Sequence, residues 1–196
     1  MKKKLLIFAH KGEASHFLKA ISFTPVDFFF KGLFESPDFF LLICGEGLQN
    51  TSEKTVSVLT HFNNQISEIY NLGTAGSLSE KIIKDQIHWV KTCYAGSTER
   101  QEYKSFTTQS PNATINCLSA YERIETPEAR KKLSSFADIV DRELWSVGSA
   151  AALFKKSFYS LKYISDDPKS ENFSQEVINK APLISEKLYL EFRSET

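Results

Sequence analysis

Apolar and polar residues follow one another along the chain in blocks of strand and helix length. Continuous apolar runs predict buried strands at 4–9, 68–78, 87–95, 113–120, 137–141 and 158–165. Amphipathic or small-residue stretches predict helices at 13–21, 51–62, 126–136, 142–157 and 173–192, the last interrupted near Pro182. Because strands and helices alternate through the second half, we expect a layered α/β fold with a mainly parallel sheet.

Local turn and capping signals add detail to this pattern. Residues 26–45 predict an aromatic hairpin, in which ESPD turns the chain between VDFFFKGLF and FFLLICG. Thr126, followed by Pro127, is typical of a helix N-terminus. Residues 97–112 are polar and predict a loop. Since no repeat, low-complexity tract or linker interrupts the chain, we interpret residues 1–196 as a single domain.

Composition narrows the function classes. The 24 basic and 24 acidic residues cancel, so charge favours neither nucleic acid nor an anionic membrane as a partner. The first apolar run is too short for a secretion signal, and none approaches the roughly 20 apolar residues of a membrane span. Three widely spaced cysteines without a CxxC pattern favour neither disulfides nor zinc, and indicate small buried side chains in a reducing cytoplasm.

Polar groups follow four of the predicted strands. Glu13 comes shortly after the first strand, the Gly73–Gly76 loop ends the middle one, Glu143 follows ADIVD, and Ser165 and Asp166 end the last. In open α/β sheets, ligands bind at the carboxyl ends of the strands. The alternative for each residue is an ordinary turn or a helix-terminal charge, but four such groups in one sheet favour a site.

The chain resembles the nucleoside phosphorylase/nucleosidase superfamily, in particular the methylthioadenosine/S-adenosylhomocysteine nucleosidases and futalosine hydrolases. The resemblance runs from residue 4 to about residue 175 and is carried by IFAHKGE, NLGTAGSL followed by KDQIHWV, VDRE and YISDD. It implies a three-layer α/β fold with a central, mixed, mostly parallel twisted sheet flanked by helices. It also implies cleavage of the N-glycosidic bond of a purine nucleoside, without a cofactor or metal.

The resemblance assigns roles at the base and the ribose. Asp166 matches the group that protonates N7 of the leaving base, and Ser165 the residue that orients it. Asp167 beside it is either a neighbour that tunes Asp166 by charge repulsion or a turn residue, the second being the more common case. Glu143 matches the acceptor of both ribose hydroxyls.

At the attacking water, the resemblance implies Glu13 as general base, with Thr74 and Lys162 holding the water. Thr74 stands where relatives usually carry serine, and Lys162 replaces an arginine, which leaves only a point charge. Ala75 and Gly76 match the loop that meets the substrate.

The same comparison favours water over phosphate as the nucleophile. Phosphorolytic members bind phosphate with arginines, one of them at the position of Asn71, and no arginine precedes Arg100 in this chain. A phosphate-dependent phosphorylase and a non-catalytic nucleoside-binding homologue remain the alternatives.

The chain departs from its relatives in the substrate pocket. Arg142 stands where relatives carry a methionine under the ribose, and it would suit an anionic substrate tail. The chain is also shorter around residues 100–120. Tyr121 and Phe173 are candidates for stacking on the base, although both could equally be core residues. Relatives commonly form homodimers, so we expect one here.

Overall fold

A ten-stranded mixed sheet forms the centre of the molecule. The computed structural model describes residues 2–100, 102, 104–110, 112–168 and 173–195, and in the last range the side chains from residue 177 onward. The strands are β1 (Lys3–Phe8), β2 (Thr24–Pro25), β3 (Leu33–Glu35), β4 (Phe39–Ile43), β5 (Ile66–Ser77), β6 (Ile87–Gly96), β7 (Phe106–Thr107), β8 (Ile115–Ala120), β9 (Ile139–Asp141) and β10 (Ser157–Asp166). The helices are α1 (Ser15–Ala20), α2 (Leu48–Phe62), α3 (Pro127–Leu133), α4 (Leu144–Leu153) and α5 (Phe173–Glu195), with a 3₁₀ turn at Asn63–Gln65.

The sheet contains two sets of parallel strands. Strands β4, β1, β5 and β10 pair in parallel, and so do β6, β8 and β9. Antiparallel pairings of β10 with β6 and of β5 with β9 join the two sets, so that β5, β10, β6, β8 and β9 close a ring. The expected mixed sheet flanked by helices is confirmed, and β2, β3 and β7 add antiparallel edges.

Alternate side chains of the strands pack into two separate layers. On β1, Leu5 and Ile7 belong to the core under α2 and α4, whereas Leu6 and Phe8 belong to the core under α1 and α5. This is the two-residue period of a strand that is covered on both faces. It explains why KLLIFA is apolar throughout rather than alternating.

Two sequence-based expectations need correction. Residues 97–112 contain the short strand β7, which pairs with β6. Helix α5 is not interrupted at Pro182 but runs through it. Proline removes one intrahelical hydrogen bond, and the packing of Ile184, Leu188 and Phe192 against the sheet holds the second half of the helix in line.

Other local predictions are confirmed. The Thr126 hydroxyl caps α3 by accepting from Ala129 N–H at 3.2 Å. The turn after Glu35 joins β3 to β4 as an antiparallel hairpin, although Phe28–Phe30 precede the strands. All three cysteines, at positions 44, 93 and 117, are buried and free.

Candidate active site

One cavity lies at the carboxyl ends of β1, β5, β9 and β10. Its volume is about 580 Å³, which is in the range of small-molecule sites. Glu13, Thr74, Glu143 and Asp166 all line it, together with Ala75, Gly76, Arg142 and Ser165. Four strand ends that are distant in sequence therefore meet at one place, as the strand-end pattern predicted.

Glu13 is held by the end of β5. Its Oε1 accepts hydrogen bonds from Thr74 N–H at 2.9 Å and from Thr74 Oγ1 at 2.8 Å, while Oε2 accepts from His10 N–H at 3.3 Å. A Cβ at Gly73 would lie 3.1 Å from Oε1, a tighter contact than usual, so the glycine leaves room for the carboxylate. The side chain is buried yet lines the cavity, which fixes a carboxylate at its wall.

Glu143 immediately precedes α4 and is also buried. Its Oε1 accepts a hydrogen bond from Gly47 N–H at 2.8 Å. Burial, and then repulsion by Asp141, raises the pKa of Glu143 to about 7, against the opposing effects of Lys162 and of the Gly47 N–H. Glu143 thus changes its ionisation near neutral pH.

Asp166 ends β10 and contacts two polar side chains. Ser165 Oγ donates to its Oδ1 at 2.6 Å, and the Arg130 guanidinium forms an ion pair with its Oδ2. Both members of this pair are about 1% exposed. A Cβ on Gly76 would lie 3.0 Å from Oδ2, so the glycine-rich loop makes room for the carboxylate.

Lys162 does not lie where the resemblance placed it. Its Nζ forms a buried ion pair with Asp141 Oδ2 at 2.7 Å, and it is absent from the cavity lining. Burial alone would lower the pKa of Lys162, but Asp141 and neighbouring acidic groups raise it above its ordinary value. Asp141 also accepts from Ser119 Oγ at 2.6 Å and from Leu144 N–H at 3.0 Å. The pair therefore links β10 to the start of α4.

The aromatic candidates do not line the cavity where the structure describes them. Tyr121 is 42% exposed, donates to Glu102 Oε1 at 2.6 Å and is absent from the cavity lining. Phe173 starts α5, but its side chain lies outside the described residues. The described apolar lining is aliphatic instead: Ala9, Ile124, Val140, Val177, Ile178 and Ala181.

Charged side chains surround the mouth of the cavity. Arg142 Nη1 donates to Glu46 Oε2 at 2.9 Å, and Arg123 Nη2 donates to Glu46 Oε1 at 2.6 Å. His10 Nε2 lies 3.5 Å from the same carboxylate. Burial opposes the effect, yet the two arginines lower the pKa of Glu46. Arg142 thus lines the cavity as a paired cation.

Sequence reasoning missed Arg130, Asp141 and Glu46. One sequence pattern could have identified Arg130: it lies three residues before the buried Leu133, on the same face of a short helix. A charged residue on an apolar helix face indicates a buried partner. Asp141 lies within VDRE at a strand end, but nothing in the sequence links it to Lys162.

Comparison with solved structures gives the fold. A mutant methylthioadenosine nucleosidase (MTAN) of Helicobacter pylori, with 5′-methylthioadenosine in its active site, matches over 100% of both chains, with a TM-score of 0.84 and 14% identity. A futalosine hydrolase mutant of Helicobacter pylori matches over 100% of both chains with a TM-score of 0.83 and 14% identity. The MTA/SAH nucleosidase of Streptococcus pneumoniae in complex with 8-aminoadenine also gives 0.83 and 14%, over 99% of this chain and 100% of that one.

The chain has the nucleosidase fold. The resemblance inferred from the sequence is thereby confirmed at the level of architecture. No family model matches the sequence. No curated protein matches it either. Because identity to these structures is low, residue roles depend on the geometry of this site.

Two absences among the described residues concern metal ions and membranes. Among residues 2–168 and 173–195, apart from the three single gaps at 101, 103 and 111, no group of His, Cys, Asp or Glu side chains could hold a metal ion. In the same part of the chain, no helix has the length and apolar character needed to cross a membrane.

Proposed function

We propose that the protein hydrolyses the N-glycosidic bond of a purine nucleoside and releases the base. The observation that supports this most directly is the convergence of Glu13, Glu143 and Asp166 on one cavity of about 580 Å³. Such a reaction needs a group for the water, one for the sugar and one for the base. The nucleosidase fold of the structural neighbours supports the same reaction class.

The base leaves as C1′–N9 breaks and its bonding electrons pass to the purine. In our proposal Asp166 transfers a proton to N7, which neutralises the leaving group. Ser165 fixes the carboxyl group through its hydrogen bond to Oδ1. After transfer, Asp166 is a carboxylate that the Arg130 guanidinium stabilises.

The ribose carries the positive charge of an oxocarbenium-like transition state. In our proposal the ionised Glu143 accepts hydrogen bonds from the sugar hydroxyls and stabilises that charge. Gly47 N–H holds the same carboxylate at 2.8 Å, so its orientation is set before the substrate binds.

The attacking water loses its proton to Glu13 as its oxygen bonds to C1′. Thr74 orients the Glu13 carboxylate through two hydrogen bonds, from its N–H and from its hydroxyl. Ala75 and Gly76 extend the same loop along the cavity wall. We assign Lys162 the role of holding Asp141 beside Glu143 rather than that of holding the water.

The positions of the arginines favour hydrolysis over phosphorolysis. The three that line the cavity are each paired with a carboxylate: Arg130 with Asp166, and Arg123 and Arg142 with Glu46. Asn71, at the position of a phosphate-binding arginine, is buried and carries no charge. A phosphorylase and a non-catalytic binding protein are the competing hypotheses.

A screen of purine nucleosides with and without added phosphate tests the proposal. We expect free base and free sugar to form without phosphate, and Asp166→Asn to abolish base release while nucleoside still binds. Turnover that requires phosphate would establish a phosphorylase. Binding without cleavage at long times by the unmodified protein would instead establish a non-catalytic protein. Exposed Glu53, changed to Gln, is the matched control.

The remaining assignments rest on the resemblance. The substrate is a methylthioadenosine-, S-adenosylhomocysteine- or futalosine-like nucleoside, and Arg142 faces its 5′ side. We propose a cytoplasmic homodimer, which light scattering of the purified protein would test.

A further inference from the structure

The turn between β4 and α2 contacts the two residues that precede α4. Gly45 and Gly47 have positive φ angles, of 84° and 92°, a backbone conformation that glycine adopts readily and other residues rarely do. The Gly47 N–H donates to Glu143 Oε1 at 2.8 Å. Arg142 Nη1 donates to Glu46 Oε2 at 2.9 Å. Two consecutive residues of the turn are therefore joined to two consecutive residues before the helix.

Contacts on both sides of Gly47 direct its N–H towards Glu143. On one side, Ser146 Oγ donates to the Leu48 carbonyl at 2.8 Å and ties the start of α2 to α4. On the other side, Glu46 forms its ion pair with Arg142. Ser146 is buried, whereas the side chains of the ion pair are 33% and 27% exposed. The ion pair is therefore the contact that a substitution can remove without disturbing the core.

The Gly47 N–H matters because Glu143 is a buried carboxyl group. Burial, and then repulsion by Asp141, raises the pKa of Glu143. Lys162 and the Gly47 N–H oppose this effect, and Glu13 adds to it. Loss of the N–H contact would therefore remove an orienting hydrogen bond and also a group that favours the ionised form. The orientation of a catalytic group before the reaction contributes strongly to the rate.

We propose that Glu46 is a positioning residue, which through its ion pair with Arg142 holds the Gly47 N–H against Glu143. Glu46 thus acts through Glu143 rather than on the reacting atoms. The effect on catalysis rests on the proposed hydrolysis, whereas the effect on the Gly47 N–H does not. The inference also gives Arg142 a function within the protein, since its Nη1 already donates to Glu46.

Amide hydrogen exchange at Gly47, followed by NMR without any nucleoside, tests the contact itself. Arg142→Met and Glu46→Gln each remove the ion pair, and each should speed exchange of this amide at least about tenfold. Arg142→Lys keeps a cation and should stay within about threefold of the unmodified protein. Arg100→Met removes an exposed ion pair elsewhere and is the matched control. Unchanged exchange in the first two variants would overturn the inference.

Kinetics on an uncharged nucleoside that the protein cleaves, such as 5′-methylthioadenosine, test the consequence for catalysis. We expect Arg142→Met and Glu46→Gln each to lower kcat about tenfold, while KM changes less than about threefold. The double variant should also lose about tenfold rather than about a hundredfold, because both substitutions remove the same pair. Arg142→Lys should recover most of the rate.

The outcomes separate this inference from the hydrolase proposal. Faster exchange at Gly47 with an unchanged kcat would overturn the positioning role and leave hydrolysis standing. So would losses that multiply in the double variant, or an effect of Arg142→Met confined to the KM of nucleosides with a 5′ carboxylate. Faster exchange in a protein that cleaves no nucleoside would support the link from Glu46 to Gly47 and refute the proposed hydrolysis.

Discussion

Replacing Glu143 by glutamine should make the protein more stable and inactive. The ordinary glutamate pKa of 4.5 and the buried value of about 7 differ by about 2.5. Each pKa unit corresponds to about 1.36 kcal/mol, so ionised Glu143 costs the folded state about 3 kcal/mol. Glutamine keeps an oxygen that accepts from Gly47 N–H at this position but carries no charge.

The sign of the pH dependence follows from the raised pKa. Between about pH 4.5 and 7 the folded protein holds a proton on Glu143 that the unfolded chain releases. This contribution to stability is therefore full below about pH 4.5, and it is lost as the pH rises towards and beyond 7. Glu143→Gln should exceed the unmodified protein by no more than about 1 kcal/mol at pH 5 and by about 3 kcal/mol at pH 8.

Urea unfolding at the two pH values measures the effect. Glu53→Gln, in the exposed part of α2, is the control and should change neither value. A Glu143→Gln protein that is no more stable than the unmodified one at pH 8 would refute the reasoning. An equal gain at both pH values would refute it as well, because packing rather than ionisation would then be the cause. Base release by the variant, measured in parallel, should be absent.

Three further substitutions probe the supports of the site. Lys162→Met leaves the buried Asp141 without its cation, and urea unfolding should show a loss of about 3–5 kcal/mol in the free energy of unfolding. Adding Asp141→Asn should restore part of this loss, and no recovery would argue against the ion pair. Thr74→Ala removes the hydroxyl that donates to Glu13 and should lower kcat about tenfold, whereas Thr74→Ser should stay near the original rate; equal losses would exclude the hydroxyl as the cause. Gly148→Ala places a Cβ 2.9 Å from a phenylalanine side chain and should cost about 1–3 kcal/mol in a thermal melt, so an unchanged Tm would contradict tight packing there.

The backbone positions of the site could be predicted because they follow from strand periodicity. Glu13, Thr74, Glu143 and Asp166 each lie just beyond or at the end of a strand, and the topology of an α/β sheet brings such ends together. No side-chain contact had to be known for that prediction. It needed only the order of the elements and their lengths.

The side-chain partners could not be predicted in the same way. Whether Lys162 meets a water or Asp141 depends on the distance between β10 and β9 across the closed ring of strands. Arg130 reaches Asp166 from α3, in which Leu133 shares an apolar cluster with Leu78 after β5. The prediction that Pro182 interrupts the last helix is wrong, because burial of the residues beyond it outweighs the low helix propensity of proline.

The ion pairs of Glu46 make the entrance of the cavity more sensitive to salt than its interior. Three segments, carrying His10, Arg123 and Arg142, are tied to this one carboxylate at a half-exposed rim. Attraction between exposed charges weakens with ionic strength, since the Debye length falls from about 10 Å at 0.1 M salt to about 3 Å at 1 M. The buried ion pairs of Arg130 and Lys162 are screened much less by salt. Concentrated salt should therefore weaken the ion pairs at the cavity entrance, whereas the buried pairs of the cavity wall should persist.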